Sequence, residues 1–182
     1  MRKSREEAAQ TRRRIVEAAS GEFRKRGIVA TGLNDLMKAA GLTHGGFYKH
    51  FASKDQLVAE ATTAALDALL EGMAAHPSVG AAVAAYLSTR HRDNPASGCP
   101  LAALGSELSR SDRGAREVAA AGFMRLVAIL AGQAGTAEAR RRALVAAATM
   151  VGAVTMARTV TDPELSAEIL REAEKAVMAA RS

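Results

Sequence analysis

The 182-residue chain has no tryptophan, a single cysteine, four prolines and only six aromatic residues. One cysteine, Cys99, excludes an intrachain disulfide and supplies no cysteine cluster for a metal. Scarce aromatics and the lack of any long Val/Ile/Thr alternation argue against sheet, because strands draw on β-branched and aromatic side chains. The longest stretch without a charge, Ala143 to Ala157, is 15 residues, short of the roughly 20 that span a bilayer. The N-terminal "MRKSREEAAQTRRRIV" carries charge throughout and has no apolar core of a secretory signal. No histidine or cysteine spacing suits a metal, and no G-x-S-x-G, P-loop or dinucleotide fingerprint occurs, so no catalytic residue, metal or cofactor is assigned. A soluble cytoplasmic chain without a membrane partner is expected.

What the chain does have is 48% apolar residues with alanine dominant, a composition that suits closely packed helices. The expected fold class is all-α. Charge is unevenly placed: residues 1–56 hold 12 Lys and Arg against 6 Asp and Glu, while residues 57–182 hold 13 of each. The whole excess of +6 therefore lies in the first third. A basic charge confined to one small module suits a polyanion, nucleic acid above all, or else a solvated basic face.

Apolar spacing predicts the elements. Ile15, Ala19 and Phe23 share one face of a helix over 12–26, ended by Gly27. Leu33, Leu36, Met37 and Ala40 mark a short helix with Thr31 as its N-cap and Gly41 beyond its end. Thr43 is read as the cap of the next helix, on which Phe47 and Phe51 share a face. Ser53 caps a long helix running to about Ala74, and Pro77 opens another. "RHRDNPASG", residues 90–98, reads as loop. Helices then follow from Cys99 and Pro100, over about 112–134, over 136–159, and from Pro163 to near Ala180, nine in all.

Half of the aromatics fall within one stretch, "GLTHGGFYKHFASKD", beside two adjacent glycines. A short helix, a tight glycine turn and a second short helix make a helix-turn-helix, whose second helix enters the major groove. Small residues at the head of that helix let the backbone approach DNA closely. Phe47 and Phe51 are expected to pin it to the core while Tyr48 projects outward.

Residues 12–57 resemble the DNA-binding module of the TetR family of transcriptional regulators. The resemblance rests on "GLTHGGFYKHFASKDQL" around the recognition helix and on "RGIVATGLNDLMKAAG" before it. It implies that Tyr48, Lys54 and Thr31 contact phosphate, that Thr43, His44 and Gly46 face base edges, and that Gly45 is the helix glycine. Lys49 and His50 touch backbone or bases. Arg2, Lys3 and Arg5 form either an arm on DNA or a solvated tail. The same resemblance implies a nine-helix architecture, with a DNA-binding domain over 1–52 and an effector-binding and dimerisation domain over 53–182.

Ala146, Ala147, Gly152, Ala153, Ala157 and Ala173 permit close helix approach, either in a homodimer's four-helix bundle, as the resemblance implies, or inside one chain. Met73, Tyr86, Leu104, Phe123, Met124, Met150 and Val154 line an effector pocket or are plain core. Cys99 is either a buried inert thiol or a sensor, its pKa lowered by a helix N-terminus and by Arg90 or Arg92. The expected function is a repressor released from a palindromic operator in double-stranded DNA by a small-molecule or electrophile effector. The competing readings are an architectural DNA-binding protein without effector and a helical ligand-binding protein without DNA recognition.

Overall fold

A computed structural model describes residues 5–132 and 135–180, the side chain of His44 apart. Within them the chain is helical, with no strand. The α-helices are α1 (Arg5–Arg26), α2 (Leu33–Ala39), α3 (Lys54–Ala74), α4 (Val79–Tyr86), α5 (Thr89–Asp93), α6 (Pro100–Leu108), α7 (Arg113–Ala131), α8 (Ala137–Thr159) and α9 (Pro163–Ala179). Two short 3₁₀ helices, His44–Lys49 and Pro95–Ser97, complete them. The all-α expectation holds, and the fold has nine α-helices among the described residues, but they are not the expected nine. The recognition element is a 3₁₀ turn, and a five-residue helix, α5, occupies much of the stretch read as loop. Helix α1 begins seven residues before position 12, at Arg5, so that residue is helical. Arg2 and Lys3, the rest of the expected arm, lie outside the described residues.

The helix starts follow cap chemistry, in which a side-chain oxygen accepts from an otherwise unpaired N–H of the first turn. Ser53 accepts from Gln56 N–H, Ser78 from Ala81, Asp112 from Ala115 and Thr136 from Ala139. Thr31 is not such a cap. Gly32 precedes α2, and the Thr31 hydroxyl is buried and donates to the Gly27 carbonyl at 2.6 Å. Thr43 stands at the head of the 3₁₀ turn, but its side chain makes no capping bond.

Two apolar clusters organise the molecule. The first joins Ile15, Phe23, Leu36, Met37, Phe47 and Phe51 to Leu57 and Val58 of α3, Leu104 and Leu108 of α6, and Ala115 of α7. The packing therefore does not divide at residue 52: the first turns of α3 belong to the N-terminal core. The second cluster gathers α3, α4 and α6 to α9 around Leu70, Leu126, Met150 and Val154. There α7 lies so close on α3 that a Cβ at Gly122 would stand 2.3 Å from a methyl of Leu66.

The small-residue stripe faces inward. Ala146, Ala147, Ala153, Ala157 and Ala173 are buried in this chain's own core, where they let α8 and α9 pack closely. Of the set assigned to a second copy, only Gly152 is exposed. No described helix is long and apolar enough to cross a membrane.

Candidate nucleic-acid interface and ligand cleft

Helix α2 stops because the chain turns left-handed at Gly41, φ +68°, a conformation in which a Cβ is strained. Leu42 N–H then reaches back to the Met37 carbonyl at 2.8 Å, and the Arg14 guanidinium donates to the Ala40 carbonyl at 2.6 Å. The turn is fixed from both sides, and the next element leaves it at a set angle.

That element, His44–Lys49, has one face in the core and one in solvent. Phe47 is fully buried and stacks on Phe51 with ring centroids 5.6 Å apart. The Arg12 guanidinium lies 4.1 Å above the Phe51 ring, donates to the His50 carbonyl and pairs with Glu60 of α3. This charged clamp ties α1 and α3 to the end of the turn. On the other face Thr43, Gly45, Tyr48 and Lys49 are exposed, Tyr48 at 68%. Tyr48 is braced edge-on against Phe47 at 5.1 Å, so its hydroxyl is carried outward by a ring fixed to the core. The backbone of His44 opens the turn, but its side chain is outside what is described.

The two glycines differ. A Cβ at Gly45 would meet nothing within 4 Å, whereas one at Gly46 would point at the Met37 methyl, 3.4 Å away. Gly45, not Gly46, is the open position through which backbone could approach a groove. Lys54 is half-buried, with its ammonium on the Ile28 carbonyl at 2.6 Å and near the Phe23 ring. It holds the α1–α2 turn to α3, a task the sequence did not reveal. Thr31, buried and bonded to Gly27, cannot reach a phosphate.

Between α3, α4, α5 and the Pro95–Ser97 turn lies an open cleft of about 660 Å³, a size ordinary for small-molecule sites. Of the residues assigned to a pocket, Met73 and Tyr86 line it. The others lie elsewhere: Met150 and Val154 are sealed in the second cluster, Phe123 packs against it, and Leu104 belongs to the first cluster. Met124 is 38% exposed on α7. Sequence spacing missed Leu69, His76, Ser88, Arg90, His91 and Asn94, which complete the wall. Most of them fall in the stretch read as loop or at its edge.

His91 organises the cleft floor. Cys99 N–H donates to its Nε2 at 2.8 Å, so that nitrogen is an acceptor and the proton sits on Nδ1, which donates to the Tyr86 carbonyl at 2.6 Å. Burial holds the imidazole pKa below its ordinary value, against the raising effect of that second bond. Arg158 braces the same loop, donating to the His91 and Arg92 carbonyls at 2.8 and 2.9 Å. Cys99 is wholly buried, and burial pushes its thiol pKa up, outweighing the lowering by the Tyr86 hydroxyl and by backbone N–H groups. The expected lowering by Arg90 or Arg92 fails on geometry: Arg90 is at the cleft rim, and Arg92 is engaged by Asp93 and Ser166. The thiol is a poor nucleophile where it stands.

The cleft wall is also joined to α1. Arg24 donates to the Gly98 carbonyl at 3.0 Å, and α1 packs on the Pro95–Ser97 turn. Farther along, the Glu107 carboxylate of α6 accepts from Val29 N–H at 2.9 Å, in the turn that leads into α2.

A buried aromatic pin, a glycine turn and an exposed basic face define a helix-turn-helix module set on a helical ligand-cleft domain. Residues 15–61 match the family described as "Bacterial regulatory proteins, tetR family". The chain belongs to this TetR family. It is 45% identical over 71 residues to the HTH-type transcriptional regulator TtgR of Pseudomonas putida, a match covering 39% of this chain and 32% of that protein. It is 39% identical over 59 residues to the probable acrEF/envCD operon repressor of Escherichia coli, covering 32% of this chain and 27% of the relative. The chain thus spans about a third or less of the length of these curated relatives. A TetR transcriptional regulator from Chloroflexus aurantiacus superposes with a TM-score of 0.74 at 26% identity, over 94% of both chains.

Proposed function

We propose that this protein is a DNA-binding transcriptional regulator, a repressor that holds a palindromic operator as a homodimer and lets go when a small molecule enters the α3–α5 cleft. The observation that carries the reading is the two-faced recognition turn. Its aromatic side is locked by Phe47, Phe51 and Arg12, and its outer side presents Thr43, Gly45, Tyr48 and Lys49 to whatever docks. In this reading Tyr48 and Lys49 meet phosphates, and Thr43, His44 and the open backbone at Gly45 meet the groove. His50 sits at the rim, with its carbonyl already held by Arg12. Repression as the sign of regulation follows the E. coli relative named an operon repressor.

Dimerisation is assigned to the outer face of α8 and α9 rather than to the buried alanines. Val145, Gly152 and Met156 recur along one side of α8, and Leu165 stands just across the α8–α9 connection, all exposed. Two recognition turns fixed in one dimer read half-sites about one helical turn apart, or a multiple of it. A ligand that binds better to a differently spaced dimer shifts the population away from the operator-fitting form, by no more than its differential affinity. The Arg24–Gly98 bond and the Glu107–Val29 bond join the cleft domain to α1 and to the turn before α2, and both span the boundary such a shift must cross.

Selection of bound sequences from random duplex DNA, followed by a salt titration on the best one, tests this. A recovered palindrome is the expected result. Lys49→Ala is expected to lower the slope of log affinity against log salt by about 0.9, the release of one phosphate contact. Sequence-indifferent binding points instead to an architectural protein. No binding at low salt points to a helical ligand-binding protein without DNA recognition.

A further inference from the structure

The α3–α5 cleft has a sign. None of the residues that line it is an aspartate or a glutamate, while Arg90 brings a permanent cation to its rim. Arg90 has no ion-pair partner among the described residues. The carboxylate nearest in sequence, Asp93, is taken by Arg92 through bonds of 2.7 and 3.1 Å. The imidazole of His91 adds no charge, since both ring nitrogens are committed to backbone groups and only its ring faces the cleft. Ser88, Asn94 and Ser97 place small polar groups on the same side as Arg90, whereas Ala68, Leu69, Met73 and Ala82 make the opposite wall apolar. A cation entering here meets Arg90 with no compensating charge. A neutral apolar molecule leaves that guanidinium unused.

We infer that the cleft binds an amphipathic organic acid, its carboxylate at Arg90 and its apolar body along Leu69, Met73 and Ala82. The inference rests on the proposal that this cleft is the effector site. Guanidinium–carboxylate hydrogen bonding sets the head group, and burial of a hydrocarbon or ring body against the α3–α4 wall supplies the larger share of affinity.

Three probes of equal chain length separate the possibilities: octanoate, 1-octanol and octylammonium, titrated calorimetrically at one ionic strength. Wild type is compared with Arg90→Gln and with Gly72→Leu, whose new side chain starts from a position with nothing within 4 Å and fills the cleft. A melting curve at the wild-type temperature checks that each variant folds. Octanoate is expected to bind tightest and octylammonium weakest. Arg90→Gln is expected to weaken octanoate by about tenfold or more, the loss of one charge-assisted bond, and to leave octanol unchanged. Gly72→Leu is expected to abolish binding of all three. If octylammonium equals octanoate, or Arg90→Gln leaves octanoate unaffected, the acid preference is overturned, while sensitivity to Gly72→Leu keeps the cleft as a binding site. If Gly72→Leu leaves binding intact, the cleft itself is the wrong site. Failure of all three probes to bind overturns the acid proposal.

Discussion

The recognition turn and the outer face of α8 both expose side chains on a helical scaffold, yet they are built in opposite ways. The turn is six residues of 3₁₀ helix, too short to stand alone. Its geometry is held by aromatic rings beneath it and by the Arg12 clamp. Helix α8 is 23 residues of alanine-rich sequence, held by close contact with α7 and α9. One surface depends on a few large, specific contacts, and the other on many small ones. Damage should therefore be concentrated in the first and spread out in the second.

The sharpest break is Phe47→Ala. Phe47 is fully buried and touches both the Phe51 ring and the Tyr48 ring. Removing it should cost about 3–5 kcal/mol, the usual range for a buried phenylalanine. That is a large part of the stability of an ordinary domain. Thermal melting followed by circular dichroism should show a fall of several degrees, and DNA affinity should fall with it because Tyr48 loses its support. A variant that melts like wild type would mean that the turn is held by its backbone bonds alone.

The same contrast explains what could be read before the structure. The recognition turn was legible because its signal is local: two glycines and three aromatics within seven residues are hard to place anywhere else. The outward position of Tyr48 and the inward one of Phe47 and Phe51 follow from spacing. Arg12 and Lys54 were illegible as braces, because their partners, His50 with Glu60 and Ile28, are brought near only by the tertiary fold. In the helical domain the alanine stripe was visible, but small residues permit close approach equally well within one chain or between two. Burial decided in favour of one chain for Ala146, Ala147, Ala153, Ala157 and Ala173. Cys99 shows the same gap. A helix N-terminus can be read from "SGCPLAAL", but the complete burial that reverses the expected pKa shift cannot.

A middle-sized effect tests the many-small-contacts side of the comparison. Gly122→Ala adds one methyl where α7 meets α3, and that methyl would lie 2.3 to 2.9 Å from three carbons of the buried Leu66. Leu66 or the helix must shift, and overpacking of this kind costs about 1–3 kcal/mol. Helix propensity alone would have made the change favourable. Denaturant melts should show a lower midpoint with an unchanged slope. A higher midpoint would show that α3 and α7 can separate freely, and that the domain is held less tightly than its geometry states.

The smallest effect comes from the same substitution one helix later, on the face proposed for dimerisation. A Cβ at Gly152 meets nothing within 4 Å in the monomer. Gly152→Ala should therefore stabilise an isolated chain by about 0.5–1 kcal/mol, the ordinary gain of alanine over glycine inside a helix. The dimer changes that sign. If a second copy packs its own α8 against Gly152, the new methyl occupies space between two helices, and the gain should shrink or reverse as protein concentration rises. Melting wild type and Gly152→Ala across a dilution series separates the two contributions, since only the subunit contact depends on concentration. A constant gain at every concentration would place the dimer contact away from the middle of α8. A gain seen only on dilution would put Gly152 at a subunit contact, leaving the exposed glycine rather than the buried alanines as the member of the original stripe that meets a partner.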